Sequence, residues 1–163
     1  RLLCAKERRA FRKPAIGRHG MKICGVEIKG SEAIFACAER QGAEIAHVPW
    51  STRKLALDDD DLASNVKRFA ASVQALVDEQ GIGHLAVKKR GKKGEFAGGA
   101  TTFKIEAVLQ LLDRCEVILV SPQTLTATMR KHEPVLPASL NKYQWDAYKS
   151  AFALLIKGKA IDA

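Results

Sequence analysis

The chain has 163 residues, 47% of them hydrophobic, and a formal net charge of +9, a composition that suits one globular domain with a proper core and excludes a disordered or collagen-like chain. No apolar run approaches the roughly 18 residues of a membrane span, and the four cysteines, Cys4, Cys24, Cys37 and Cys115, lack C-x-x-C spacing and nearby paired histidines, which argues against zinc and for a reducing, cytoplasmic setting. The charge is unevenly placed, because residues 1–20 hold seven Lys/Arg against the single acid Glu7 and so carry six of the nine net positive charges. Polyanion binding by the remainder has to be argued locally.

The Arg-rich leader, residues 1–20, ends in Gly-Arg-His-Gly directly before Met21. It reads as a disordered tail or an artefactual extension, with the natural start expected at Met21 and residues 21–163 as one domain. A basic arm that orders on nucleic acid and a transit peptide are the alternatives; a secretory signal is not, for want of an apolar centre. Residues 21–39 follow as two strands joined by a tight turn at Lys29-Gly30-Ser31. The first strand carries Glu27 in an apolar run, and a carboxylate there has to sit at the exposed strand end or be held by a cation.

Residues 43–50 form a third strand stopped by Pro49, and residues 51–57 a loop. Four aspartates, 58–61, then precede Leu62, Val66, Phe69, Val73, Leu76 and Val77, whose spacing predicts an amphipathic helix. A metal site is one reading of those acids. Favourable interaction with the helix dipole, about 0.3 to 1 kcal/mol each, is the simpler one. Residues 84–87 are a fourth strand, and a second helix is expected to turn Phe103, Ala107, Val108, Leu111 and Leu112 inward, with Glu106 on a solvated stripe beside Thr102 and Gln110. Residues 116–120 make a fifth, nearly all-apolar strand of the buried parallel kind. Ser121-Pro122 starts a short helix to about Arg130, Pro134 and Pro137 bracket a loop, and Ser139 or Asn141 caps a last helix to about Lys157 with Trp145, Tyr148, Phe152 and Leu155 inside. His47 and His84 are isolated within strands and read as structural.

The order βββαβαβα implies a mixed five-stranded sheet, three antiparallel strands and then two parallel ones reached by right-handed crossovers, with helices on both faces. That is a ribonuclease H-like α/β arrangement. Between the fourth strand and the second helix lie five basic residues in six positions, Lys88, Lys89, Arg90, Lys92 and Lys93, then Gly98 and Gly99 at the helix start. A helix N-terminus offers amides and a positive dipole end to phosphate, and clustered lysines suit the successive phosphates of a nucleic acid, DNA or RNA. The spacing is no Walker A motif. The alternative is a solvated loop whose glycines serve close packing.

The segments CGVEIKGSEA, KRGKKGEFAGGATTFKIEAVLQLL and VILVSPQTL resemble the uncharacterised family called domain of unknown function 3010. At greater distance the layout is similar to the RuvC and YqgF branch of the ribonuclease H-like superfamily. That resemblance implies a Gly-hydrophobic-acid motif at Gly25-Val26-Glu27 and a last-helix acid at Asp146, with both carboxylates catalytic and ligands of Mg²⁺ or Mn²⁺ in phosphodiester hydrolysis. The acid it implies at the end of strand four is missing, since the residues there are Leu85-Ala86-Val87-Lys88. An ammonium about 5 Å from a divalent ion is repelled by roughly 6 to 7 kcal/mol at an effective dielectric of about 20. Lys88 therefore either points away, limits the site to one metal or none, or forms a salt bridge with Glu27, for which Lys29 is another candidate partner; Asp146 has Lys142 and Lys149 within helical reach as alternative partners. The function implied is a nucleic-acid-binding RuvC-like protein, a divergent or inactive metal-dependent nuclease. The alternatives are a nucleotide-binding regulatory domain related to the actin-like ATPases and a non-catalytic protein-interaction module. Oligomeric state is left open, a homodimer included.

Overall fold

The computed structural model describes residues 20–94 and 98–158, so all but the last residue of the basic leader lies outside the described residues. Strands β1 (Met21–Lys29) and β2 (Glu32–Gln41) form the expected hairpin, and β3 (Glu44–Val48) adds antiparallel to β2. Gly30 turns the hairpin at φ +60°, a left-handed conformation that glycine adopts without a Cβ penalty.

The sheet has six strands where five were expected. The extra one, β4 (Lys54–Ala56), lies within the stretch read as a loop and pairs antiparallel with residues 32–34 of β2. Its origin is an accounting of backbone groups: β3 covers only residues 37–41 of β2 and leaves the start of its outer edge bare, where unpaired amides and carbonyls are costly. Between the two partners, the Phe35 N–H donates to the Arg53 carbonyl at 2.8 Å and the Gln144 side chain donates to the Phe35 carbonyl at 2.9 Å. A three-residue strand is too short to show alternation in sequence.

Helix α1 (Ala63–Glu79) carries the chain to β5 (His84–Lys88), parallel to β1, and α2 (Ala100–Gln110) carries it to β6 (Glu116–Val120), parallel to β5. The resulting order is β3-β2-β1-β5-β6, with β4 beside β2. Helix α3 (Pro122–His132) is capped by Ser121, and α4 (Trp145–Lys157) follows a single 3-10 turn whose capping box pairs Asn141 with Gln144. Asn141, of the two candidates, is thus the cap.

Alternation along the strands divides the interior into two layers. Cys24, Val26, Ile28, Leu85 and Val87 pack with α1 and α2, while Ile23, Ala36 and Ala86 pack with α3 and α4. Cys24 and Cys37 sit in the first layer as free thiols. Two expectations about the helices change. The aspartate run directly precedes Leu62, the N-cap position of α1, but supplies no side-chain cap there; instead Asp60 reaches α2, accepting from Thr101 at 3.2 Å and pairing with Lys104 at 3.2 Å. Helix α2 buries Thr102, Ile105, Glu106, Val108 and Leu109, while Ala107 faces solvent and Leu111 is 80% exposed. The helix ends at Gln110 and Leu111 lies in solvent just beyond it, while Leu112 is half-buried and packs on the core as expected.

Closest of all is the approach of α4 to β1. A Cβ on Gly25 would lie 1.7 Å from the Ala147 carbonyl oxygen and 3.0 Å from the Ala151 nitrogen, backbone atoms that cannot rotate aside. Gly25→Ala is expected to destabilise the fold by about 3 kcal/mol or more, read as a fall in the urea midpoint; a loss under about 0.5 kcal/mol, the range of an ordinary surface change, contradicts this packing.

Candidate functional site

The carboxyl ends of parallel strands are where open α/β sheets place their ligands, and here the charged residues gather at that end. Since Ile23 and Ala86 face α4, two-residue alternation puts Gly25 and Glu27 of β1 and Lys88 of β5 on the same face. Gly25 pairs with Ala86 and Val26 with Val87 in parallel register, so Glu27 and Lys88 are the next neighbours along the two strands. Asp146 arrives from above, in the first turn of α4, where a carboxylate is favoured by the helix dipole.

Lys88 Nζ stands between the two acids. It donates to Asp146 Oδ2 at 2.6 Å and lies 3.8 Å from Glu27 Oε1, with side-chain exposures of 21% for Lys88, 13% for Glu27 and 37% for Asp146. Lys149 approaches the other oxygen of Asp146 at 3.6 Å, whereas Lys142 rests over the Trp145 ring. Of the alternatives open from sequence, the bridge between Glu27 and Lys88 is the one present, and Asp146 joins it. Burial and the neighbouring Asp146 push the Glu27 carboxyl up, against the pull of Lys88, Lys29 and Arg90. Burial also acts to raise Asp146, but the hydrogen bond and charge of Lys88, followed by Lys149, outweigh it and hold that carboxyl below its usual value. The closer acid keeps the ammonium and the farther one bears the cost of proximity.

Mg²⁺ or Mn²⁺ requires several hard oxygen donors converging on open space. Two carboxylates with an ammonium already between them do not meet that need, and among the described residues no three His, Cys, Asp or Glu side chains group as a metal site. The residues present do not fit the metal centre that the RuvC-type resemblance implies.

The basic loop begins where this triad ends. Lys89, Lys92 and Lys93 are exposed and Arg90 is half-buried, while Lys88, counted with them as a phosphate contact from its position in the run, is turned to the carboxylates. The Gly98 N–H donates to the Gly91 carbonyl at 2.9 Å and closes the loop; residues 95–97 lie outside the described residues. A Cβ on Gly98 would come within 2.5 Å of Thr102 Oγ1 and 3.1 Å of Arg90 Cβ, whereas one on Gly99, the N-cap of α2, would meet nothing within 4 Å among the described residues. Gly98 therefore serves packing, and Gly99 itself is exposed. Glu106, expected in solvent, is 7% exposed and accepts from the Arg90 backbone N–H at 3.4 Å. It shares the inward side of α2 with Ile105 and Leu109, the one sequence signal that could have placed it. His47 bonds Ser139 at 2.8 Å and His84 faces Glu116 at 3.4 Å, both away from the triad. A groove of about 350 Å³ between α1 and α2 includes Val66, Ala70, Leu111 and Leu112 in its walls and contains none of these charged residues.

Residues 21–154 match the family model described as Protein of unknown function (DUF3010). The chain belongs to that family. No curated protein matches it. Among solved structures this DUF3010 chain is similar to Thermus thermophilus RuvC, with a TM-score of 0.65 at 13% identity over 86% of this chain and 96% of that one. A second structure, T. thermophilus RuvC in complex with a Holliday junction substrate, gives 0.66 at 11% identity over the same shares. At such identities the likeness shows the fold, which is ribonuclease H-like as the element order implied.

The opposite shifts of the two acids set opposite pH dependences. Asp146, depressed in the fold, contributes stability at neutral pH that is lost as pH falls through its folded pKa. Glu27, raised, favours the fold when protonated and withdraws that contribution as pH rises through its folded pKa. Asp146→Asn should thus cost about 1 kcal/mol at neutral pH, modest because solvent screens a partly exposed pair, and Glu27→Gln less than that. Lys88→Met, which leaves Glu27 without its ion-pair partner among the described residues and Asp146 with Lys149 alone, should cost more than either at neutral pH and recover in acid. Urea melts across pH check the ranking; a Lys88→Met deficit that does not shrink in acid contradicts it.

Proposed function

We propose that this protein binds nucleic acid, DNA or RNA, along the cationic loop at the carboxyl end of its sheet, and holds it without metal-dependent cleavage. The observation that carries this reading is the division of one basic run into two roles: Lys88 turns inward to Glu27 and Asp146, while Lys89, Lys92 and Lys93 face solvent. Three exposed ammoniums on one short loop, with no carboxylate paired to them among the described residues, suit the regular phosphates of a backbone better than a single small anion. Arg90 borders them, and the N-terminus of α2 at the exposed Gly99 adds backbone amides. Gly98 supports that end through packing.

The same reading assigns Glu27 and Asp146 to holding Lys88. They stand where the RuvC-type resemblance implies catalytic metal ligands, and an ammonium hydrogen-bonded to one of them favours retention of a nucleic acid over its hydrolysis. T. thermophilus RuvC was captured with a Holliday junction, so a branched duplex is the first probe, with linear duplex, hybrid and single strands beside it.

Affinity for the preferred probe should fall steeply between low and physiological salt. Replacing Lys89, Lys92 and Lys93 together by Gln should weaken binding to all sequences alike and flatten the salt slope by about 3, near one per lost phosphate contact. Fluorescence anisotropy measures both; binding indifferent to salt, or untouched by the triple substitution, removes the phosphate-contact reading. Incubation of the same probes with Mg²⁺ or Mn²⁺ should leave them uncut, and cleavage that Glu27→Gln abolishes would restore the nuclease reading.

A further inference from the structure

Glu27 and Asp146 are partly buried acids on separate elements, brought to one point at the end of a sheet, and the space between them is taken by a cation the chain supplies itself. We propose that Lys88 is the resident cation of this site, that it excludes divalent metal from the native protein, and that the carboxylate pair is a latent Mg²⁺ or Mn²⁺ site which replacement of Lys88 opens. The inference goes beyond nucleic-acid binding and does not depend on it.

Three features support exclusion over mere proximity. The first is occupancy of donors: Asp146 Oδ2 accepts from Lys88 at 2.6 Å and Oδ1 faces Lys149 at 3.6 Å, so both oxygens that a metal would use already face ammoniums. The second is charge. Two carboxylates are answered by two lysines, and Arg90 lies close enough to bear on Glu27. An entering divalent ion therefore meets a site that is already neutral, and meets it beside positive charge that repels it strongly at these distances. The third is what displacement would leave behind. Were Lys88 to swing into water, Glu27, 13% exposed, would lose its sole ion-pair partner among the described residues, and an unpaired carboxylate in such a place is costly.

Backbone geometry makes the site convertible. Lys88 ends β5, held by its pairing with Val120 and by the Lys89 N–H donating to the Val120 carbonyl at 2.9 Å, so another side chain at this position would project from the same place on the same face. A glutamate there would add a third carboxylate to those from β1 and α4. That donor set is of the hard-oxygen kind that suits Mg²⁺ and Mn²⁺.

The test uses the full chain, stripped with EDTA and without nucleic acid, so that its failure leaves the salt titration untouched. Mn²⁺ binding is followed by the paramagnetic resonance signal of the free ion, with melting temperature as a second readout. The proteins compared are wild type, the Glu27→Gln/Asp146→Asn double variant as a control for weak surface sites such as the aspartates at 58–61, Lys88→Met and Lys88→Glu. Wild type and the double variant should be indistinguishable, Lys88→Glu should bind Mn²⁺ at least about tenfold more tightly than wild type, and Mn²⁺ should raise the melting temperature of Lys88→Glu alone or most. Wild type that binds Mn²⁺ more tightly than the double variant overturns the proposal, as does a folded Lys88→Glu no tighter than wild type. Should Lys88→Glu fold only with Mn²⁺ present, that rescue supports the proposal; should it fold under neither condition, Lys88→Met decides, by binding Mn²⁺ more tightly than wild type or failing to.

Discussion

The arrangement depends on a missing methyl group. Gly25 lets the backbone of α4 lie directly against β1, with the Ala147 carbonyl where a Cβ would otherwise be. Ala147 is next to Asp146 in the helix, and Glu27 is the next residue of β1 on the same face. Contact between Gly25 and Ala147 therefore carries the two acids to one another at the strand end. Parallel register of β1 with β5 then delivers Lys88 as the third member. Any larger residue at position 25 would lift the helix and separate the acid of α4 from the acid of β1.

Two carboxylates drawn together at a half-buried strand end pose an electrostatic problem, and the shifts of their pKa values show how it is distributed. Burial and mutual repulsion raise Glu27, while the short hydrogen bond from Lys88 keeps Asp146 low. A divalent ion would neutralise such a pair; here two tethered ammoniums do so, Lys88 between the acids and Lys149 at the other oxygen of Asp146, and they need no additional ligands because their stems are covalently anchored in β5 and α4. The result is a closed cluster, neutral once Lys149 is counted with the triad, at a place where open α/β sheets often present reactive groups. Directly beyond it, the same run of basic residues turns outward, and the loop surface stays positive because its exposed lysines meet no carboxylate among the described residues. One short segment thus quenches the interior charge and provides the field that would draw a polyanion.

Much of this was legible before folding. Two apolar runs about the turn at Lys29-Gly30-Ser31 located the hairpin, three- and four-residue spacing located α1, and the apolar run at 116–120 marked a buried parallel strand; all are patterns confined to a few neighbouring residues. Glu27 also announced itself, since a carboxylate in an apolar run has to find a cation. What escaped was whatever depended on a partner distant in the chain. β4 exists because β3 leaves part of β2 bare, Asp60 serves α2 rather than α1, and Glu106 turns inward because Arg90 offers it a backbone amide.

The amino-acid order by itself determined the succession of the five longer strands and the helices, and the presence of an acid on β1, an acid on α4 and a cluster of cations after β5. These follow from backbone periodicity, which acts over a few residues and is written directly in the spacing of apolar side chains. Only the tertiary structure decided that Lys88, and not Lys29, a solvent ion or the loop's other cations, meets Glu27 and Asp146. That choice rests on strand register and on how closely a helix can approach a sheet, quantities set by packing across segments 58 residues apart, as Lys88 and Asp146 are, for which no local pattern carries the information.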